Sequence, residues 1–276
     1  MRSFKAVFKK QLKDFLKNPA VLIQFAIFPL LAFMINVILD FDSMVNVEDI
    51  PRIEGMTEEM IAEIMAAMMD SMNNTMPNMV TMQATMFAGM ALIPVVAGLI
   101  AEDIERKSLR FLMMAGVKPA PYLLGVGGVV FLISFLTAVA FAFVGSFSEL
   151  DFLIFVAAMM SGIAGSIVLG ATIGILTKNQ QAATALAMPA ALIIGFGPML
   201  AQFNDNIANT LHFLYTQQLN IVADYLNGAT VETALWQSFT IMWANVAVLG
   251  VLFVVVYTKK GIEGVSHRIN KNKSQK

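Results

Sequence analysis

The chain has 276 residues, of which 58% are apolar and only 13% charged. Soluble globular proteins carry about 45–50% apolar and about 25% charged residues, so this composition excludes a water-soluble enzyme domain and a disordered chain alike. A net charge of −1 gives no support for nucleic-acid binding, and the absence of cysteine excludes disulfides, thiolate metal sites and thiol nucleophiles.

Residues 1–18 read as a short amphipathic helix. Phe4, Val7, Phe8, Leu12, Phe15 and Leu16 recur at spacings of three and four, and Arg2, Lys5, Lys9, Lys10, Lys13 and Lys17 fill the other side. Such a helix suits a membrane surface, with its cations near anionic headgroups. A bilayer core of about 30 Å takes roughly 20 apolar residues per helix, and Ala20–Leu39 is the first stretch to qualify. It is too long for the apolar region of a signal peptide and no small-residue cleavage site follows, so it is expected to persist as a span.

Residues 40–82 form a segment of 43 residues, expected outside the membrane. Thr57–Met72 carries the start signals of a helix, with Glu58 and Glu59 at its positive end. Methionines crowd this region: Met56, Met60, Met65, Met68, Met69, Met72, Met76, Met79 and Met82. Thioethers are soft ligands, which makes a copper-handling protein one reading. A pliable apolar face needs only the methionines themselves, and no His or Cys accompanies them. Gln83–Ala101 is the second span.

The loop at 102–118 is the most informative segment. Glu102, Asp103 and Glu105 open it, Arg106, Lys107 and Arg110 follow, and Gly116 and Pro119 close it. Acids first and bases later match the dipole of a short helix, with a glycine and a proline as its stop. Ile104, Leu109, Leu112 and Met113 form one apolar edge. A bare positive-inside loop needs bases alone; this arrangement suits a lever that meets another protein.

Spans three to five are Tyr122–Phe147, Phe152–Thr177 and Ala182–Phe203. They are rich in glycine, and Gly170 with Gly174 makes a GxxxG, a pattern that lets helices approach closely. Pro29, Pro94, Pro189 and Pro198 fall within spans and permit kinks. Residues 204–233 are expected outside again, as one semi-amphipathic or shallow re-entrant helix with a lone His212. Ala234–Tyr257 is the sixth span, and 258–276 a basic tail.

None of the six spans contains Asp, Glu, Lys, Arg or His. Of the 18 Lys and Arg, 17 fall on the side of the two termini, and 14 of the 19 acids on the other. The positive-inside rule therefore predicts a multi-pass protein of the cell membrane with both termini cytoplasmic. There is no GxxxxGK[ST] phosphate loop, no HExxH and no GxSxG, so the chain is not expected to be an enzyme or to hydrolyse ATP. Spans without ionisable groups also disfavour a proton-driven pump, and the energy must come from elsewhere.

With this layout the chain resembles a membrane subunit of the type-2 ABC exporter family. The local signature there is an acidic stretch after span two, commonly Glu-Lys/Arg-Gly-Thr-Leu-Glu, closed by Pro. Glu102, Asp103, Glu105, Arg106, Leu109 and Pro119 match it, whereas Lys107-Ser108 and Arg110 stand where Gly-Thr and Glu are usual. The resemblance implies an all-α permease domain over 1–276 and a coupling helix that docks on a cytoplasmic ABC ATPase subunit. Glu102, Asp103, Glu105, Arg106, Leu109 and Arg110 would be its coupling residues. It further implies pairing with a second copy or a homologue, contact with membrane lipid, and ATP and Mg bound by the partner rather than this chain. Cargo in this family includes drugs, peptides, lipids and glycans, and charge-free spans favour an amphipathic one. A non-transporting membrane scaffold or assembly protein remains the reading from a different class, alongside the copper one.

Overall fold

The computed structural model describes residues 2–38, 60, 63, 79–229, 231 and 233–273, and among these there are helices and turns but no strand. Two helices come first, α1 (Arg2–Leu16) and α2 (Pro19–Ile38). Pro19 sits at the first helical position, where its missing N–H leaves no bond unmade. Then follow α3 (Met79–Glu105), α4 (Ser108–Met114), α5 (Pro119–Val144), α6 (Glu149–Leu176), α7 (Gln180–Ala201), α8 (Asp205–Leu211), α9 (Tyr215–Leu226) and α10 (Leu235–Lys273).

Five of these, α3, α5, α6, α7 and the Leu235–Lys260 part of α10, are long and apolar enough to cross a membrane. The expected first span falls on α2, but as the second arm of a bent pair: Ala6–Leu16 and Val21–Ile35 meet at 68°. Five spans result, or six if that pair is one. The Met-rich segment lies outside the described residues except Met60 and the stretch from Met79 onward. The expected helix over Thr57–Met72 likewise lies outside them, apart from residues 60 and 63, both helical.

Helix α3 is the axis of the bundle. Leu92, Ile93, Val96, Ala97, Ile100 and Ala101 are fully buried along it. On one side it lies against α6 at backbone distance: a Cβ on Gly170 would stand 2.7 Å from the Ile93 carbonyl oxygen, and one on Gly174 2.5 Å from that of Ala97. The GxxxG is thus a real helix contact, with the close approach that only glycine permits. On another side Gly89 meets Gly195 of α7, whose Cα lies 2.6 Å from the place of a Gly89 Cβ.

Five residues of α3, Phe87–Ala91, form a π turn. Pro94 follows three residues later and has no N–H to offer Met90, so the regular ladder is already broken there. Two carbonyls of the turn accept from side chains, Ala88 from Ser166 Oγ and Ala91 from Gln24 Nε2 at 3.3 Å. Phe87 also anchors the first two helices. Phe15 meets Phe25 edge-on with centroids 5.3 Å apart, Phe25 meets Phe87 at 5.5 Å, and Phe87 touches Phe28 and Phe141 at 5.9 and 6.0 Å. Edge-on aromatic pairs are worth about 0.5–1.5 kcal/mol each beyond their area, enough to fix the bend of α1 and α2 against the bundle.

Residues 204–233 depart from the single helix expected. The segment folds into α8 and α9, and α9 is buried through Tyr215–Asn220, Val222 and Ala223. Its start is deep: Tyr215 packs on Gly165 in mid-α6, and its hydroxyl lies 2.8 Å from Ser166 Oγ, which itself bonds Ala88. Its end is shallow, where Asn227 Nδ2 donates to Thr81 Oγ1 at 3.3 Å. Ala88 and Thr81 are about 10 Å apart along α3 at about 1.5 Å per residue, so α9 climbs the bundle from inside to outside. Thr216 at its base solves a problem in α7. Pro198 leaves the Ile194 carbonyl without an N–H four residues on, and Thr216 Oγ1 donates to it at 2.7 Å.

Candidate functional site

One end of the bundle gathers α1, α4, the C-termini of α3 and α6 and the Tyr257–Lys260 part of α10. Helix α3 runs four residues past its expected end, so Glu102, Asp103 and Glu105 belong to its last turns and not to a separate loop helix. The loop expected at 102–118, an acid cluster followed by a short helix, is therefore that end, a tight turn, and the seven-residue α4. Val96, Ile100 and Asp103 follow one another at spacings of four and three, which carries Asp103 onto the buried stripe at 3% exposure.

Asp103 is the centre of this end. Its Oδ1 accepts from Lys10 Nζ and from Ser108 Oγ at 2.7 Å; its Oδ2 accepts from Gln11 Nε2 and from Tyr122 Oη, both at 3.0 Å. One carboxylate thereby ties α1, α3, α4 and α5 together, with both oxygens fully engaged. A buried charge is tolerated only when so satisfied. The α1 helix buries Val7, Gln11 and Phe15 on one side, with Phe8 and Leu12 packed beside them. Lys10 thus leaves the exposed row of Lys9, Lys13 and Lys17 and turns toward Asp103, while Leu16 is 58% exposed.

The turn from α3 to α4 is made by Lys107 at φ 60°, the left-handed region. Its N–H bonds the Ile104 carbonyl at 2.9 Å, and Ser108 Oγ lies 3.1 Å from the Asp103 carbonyl oxygen, so the open end of α3 is closed. Helix α4 ends as its sequence foretells. Gly116, at φ 76°, bonds the Met113 carbonyl at 3.0 Å, and Val117 that of Leu112 at 3.0 Å, a double closure of the last turn. Leu109 is buried, and Ile104, Leu112 and Met113 pack on the core, as the apolar edge required.

The neighbouring helix ends are locked as well. Glu105 Oε2 accepts from the Gln180 N–H at 3.1 Å, at the positive start of α7, beside Asn179, which caps Ala182 at 2.8 Å. Glu102 and Arg106 form an ion pair at 2.7 Å within one helical turn. Tyr257 Oη of α10 donates to the Val117 carbonyl at 3.0 Å. Lys260 Nζ donates to the carbonyls of Ile175 and Thr177 at the negative end of α6. The tail expected after Tyr257 begins as a continuation of α10, which brings Lys260 there.

The six residues singled out from the sequence therefore take different places. Asp103 and Leu109 are interior, Glu105 caps α7, Glu102 holds Arg106, and Arg106 and Arg110 are exposed. Lys10, Gln11, Ser108, Tyr122, Tyr257 and Lys260 were missed by the sequence reading. Among the described residues, no three His, Cys, Asp or Glu side chains gather where they could hold a metal ion.

Compared with known proteins, the chain matches no family model and no curated protein. The fold defines a helical bundle of transmembrane character, with one end laced by hydrogen bonds around a buried carboxylate.

Proposed function

We propose that the chain is the membrane subunit of an ATP-driven exporter of the type-2 ABC family, oriented with both termini in the cytoplasm. The observation that carries this reading is the backbone at Lys107. It stands where the resembled motif has glycine, and it adopts the left-handed conformation that favours glycine. Ser108, in the place of the usual threonine, supplies a hydroxyl that closes α3. A left-handed residue at the place of the motif's glycine supports the reading where the letters match only in part.

The arrangement also makes mechanical sense. Helix α4 is short, fixed at both ends to spanning helices and tied to α1 through Asp103. A displacement applied to it from the cytoplasm becomes a tilt of α3 and α5. ATP and Mg would be bound by a separate ATPase subunit, and two permease chains would enclose the path. Spans empty of charge favour an amphipathic or lipid-like cargo. A scaffold or assembly protein needs no such lever.

Purification from native membranes in mild detergent tests the proposal. A soluble chain with a phosphate-loop motif should accompany the protein, and the reconstituted complex should move an amphipathic cargo only with hydrolysable nucleotide. Cargo movement by the purified chain alone, or the lack of any such companion, would overturn it.

A further inference from the structure

Helix α9 carries more hydrogen-bond acceptors into the bundle than its packing uses. Tyr215 and Leu219 meet α6 at Gly165 and Gly162. At about 100° per residue, Asn220, Asp224 and Gln217 lie about 140°, 180° and 200° round the helix from Tyr215, as one polar stripe on the far side. Asn220 and Gln217 are 3% and 7% exposed, and Asp224, nearer the shallow end, is half-buried. This stripe is short of donors. Gln217 Oε1 is buried and accepts no hydrogen bond, and the Asp224 carboxylate accepts from Asn220 Nδ2 alone, at 3.0 Å. Burial raises the Asp224 carboxyl to about 6, so at neutral pH it is still an anion, with no ion-pair partner among the described residues. The turns at this end of the bundle, 144–149 and 202–234, contain no Lys or Arg, and a second copy would bring the same residues.

We propose that this stripe binds the head of an amine-bearing amphiphile, with its primary ammonium on Asp224 and a second hydrogen-bond donor of the same head on Gln217 Oε1. The inference deepens the proposed function, on which it rests for reading that amphiphile as cargo. An ammonium supplies both a positive charge and N–H donors, the two things the carboxylate lacks. Asp224 and Gln217 are two turns apart, about 10 Å along the helix, and Asp224 leans back toward Asn220, which shortens the gap to the reach of a head with two donors. Half-buried Ile221, at about 240° on the same wheel, borders the stripe with apolar surface, and Tyr225, 48% exposed, offers an aromatic face to a cation. A divalent metal fits less well, since calcium takes about six to eight oxygen ligands and no three His, Cys, Asp or Glu side chains gather among the described residues. A quaternary ammonium has no N–H to give either acceptor.

The test titrates the full chain in phosphatidylcholine nanodiscs at neutral pH, by calorimetry against empty nanodiscs. The probes are sphinganine (a primary ammonium with neighbouring hydroxyls), octadecylamine (the ammonium alone) and N-trimethylated sphinganine. Sphinganine should bind about threefold tighter than octadecylamine and at least about tenfold tighter than its trimethylated form. Asp224→Asn should weaken both primary amines at least about tenfold without lowering the melting temperature. Gln217→Leu removes an unpaired buried acceptor, so it should melt no lower than the parent, bind octadecylamine equally well and lose the preference for sphinganine. Glu149→Gln, an exposed acid at the same end, should change neither affinity. No saturable binding, equal binding of the trimethylated form, sphinganine binding indifferent to Asp224 or Gln217, or an equal loss with Glu149→Gln would overturn the inference. No nucleotide or ATPase takes part in these titrations, so the proposed function is decided separately, by the companion found on purification.

Discussion

Replacing Asp103 by alanine removes one acceptor from four donors at once, and their exposures decide the consequence. Lys10, 41% exposed, turns to water, and its half-exposed ion pair contributes at most about 1 kcal/mol. Ser108 keeps the Asp103 carbonyl as a neighbour. Gln11 and Tyr122 have no such recourse, at 5% and 0% exposure. Each buried donor left unpaired costs about 1–3 kcal/mol, so the total is about 3–5 kcal/mol. At roughly 2–4 °C per kcal/mol for a chain of this order of size, the melting temperature in detergent should fall by about 6–20 °C. Lys10→Met leaves three donors on the carboxylate and should lower it by no more than about 4 °C. A local readout separates loosening of the turn between α3 and α4 from general damage. The chain has no cysteine, so Leu109→Cys provides a single thiol at a site 3% exposed. Maleimide labelling of that thiol should be at least about tenfold faster once Asp103 is alanine, a factor equal to about 1.4 kcal/mol of opening. Melting within about 2 °C of the Lys10→Met protein, or unchanged labelling, would refute the central role given to this carboxylate.

Thr216→Val should destabilise by about 1–2 kcal/mol, because the Ile194 carbonyl is left unpaired. In a Pro198→Ala background alanine brings back the missing N–H, so the same change should be nearly silent; a coupling below about 0.3 kcal/mol in the unfolding cycle would sink this account. Gly174→Ala forces a Cβ to within 2.5 Å of the Ala97 carbonyl and should cost about 2 kcal/mol or more, whereas Gly250→Ala meets nothing within 4 Å and should be harmless. Equal yields of monodisperse protein from the two would count against close α3–α6 packing. Burial raises the Asp224 carboxyl from 3.8 to about 6, so the folded chain holds that proton more tightly than the unfolded one. Stability should decline as pH rises from about 4 to about 6, and Asp224→Asn should gain on the parent across that range by up to about 3 kcal/mol; a constant gap would contradict it.

Hydropathy made the long helices legible because burial in a bundle and burial in lipid both ask for apolar residues all round. The stop at Gly116 and Pro119 was legible because a left-handed closure has a residue-level signature. Hydropathy ends a span at its first charge, so by that measure Asp103 is only one of three loop acids. Periodicity continues through that charge: Val96, Ile100 and Asp103 share one stripe, and Tyr122 opens the facing helix. The inward turn of Lys10 had no such signal, because its neighbours Lys9 and Lys13 are exposed. Nor did the division of 204–233 into α8 and α9. There the deciding groups are Ser166, Ala88 and Ile194, far away in sequence.

The π turn in α3 has a consequence for the whole lower half of that helix. Each residue of a regular helix advances the facing direction by about 100° and the height by about 1.5 Å, so the wide turn acts as a phase shift between two otherwise regular segments. Above it, Thr81, Ala84 and Thr85 point inward; below it, Val96, Ile100 and Asp103 do. Losing one residue within Phe87–Ala91 would restore the regular winding and swing the lower segment out of step. The carboxylate would then face away from its four donors, although every residue that holds it would still be present.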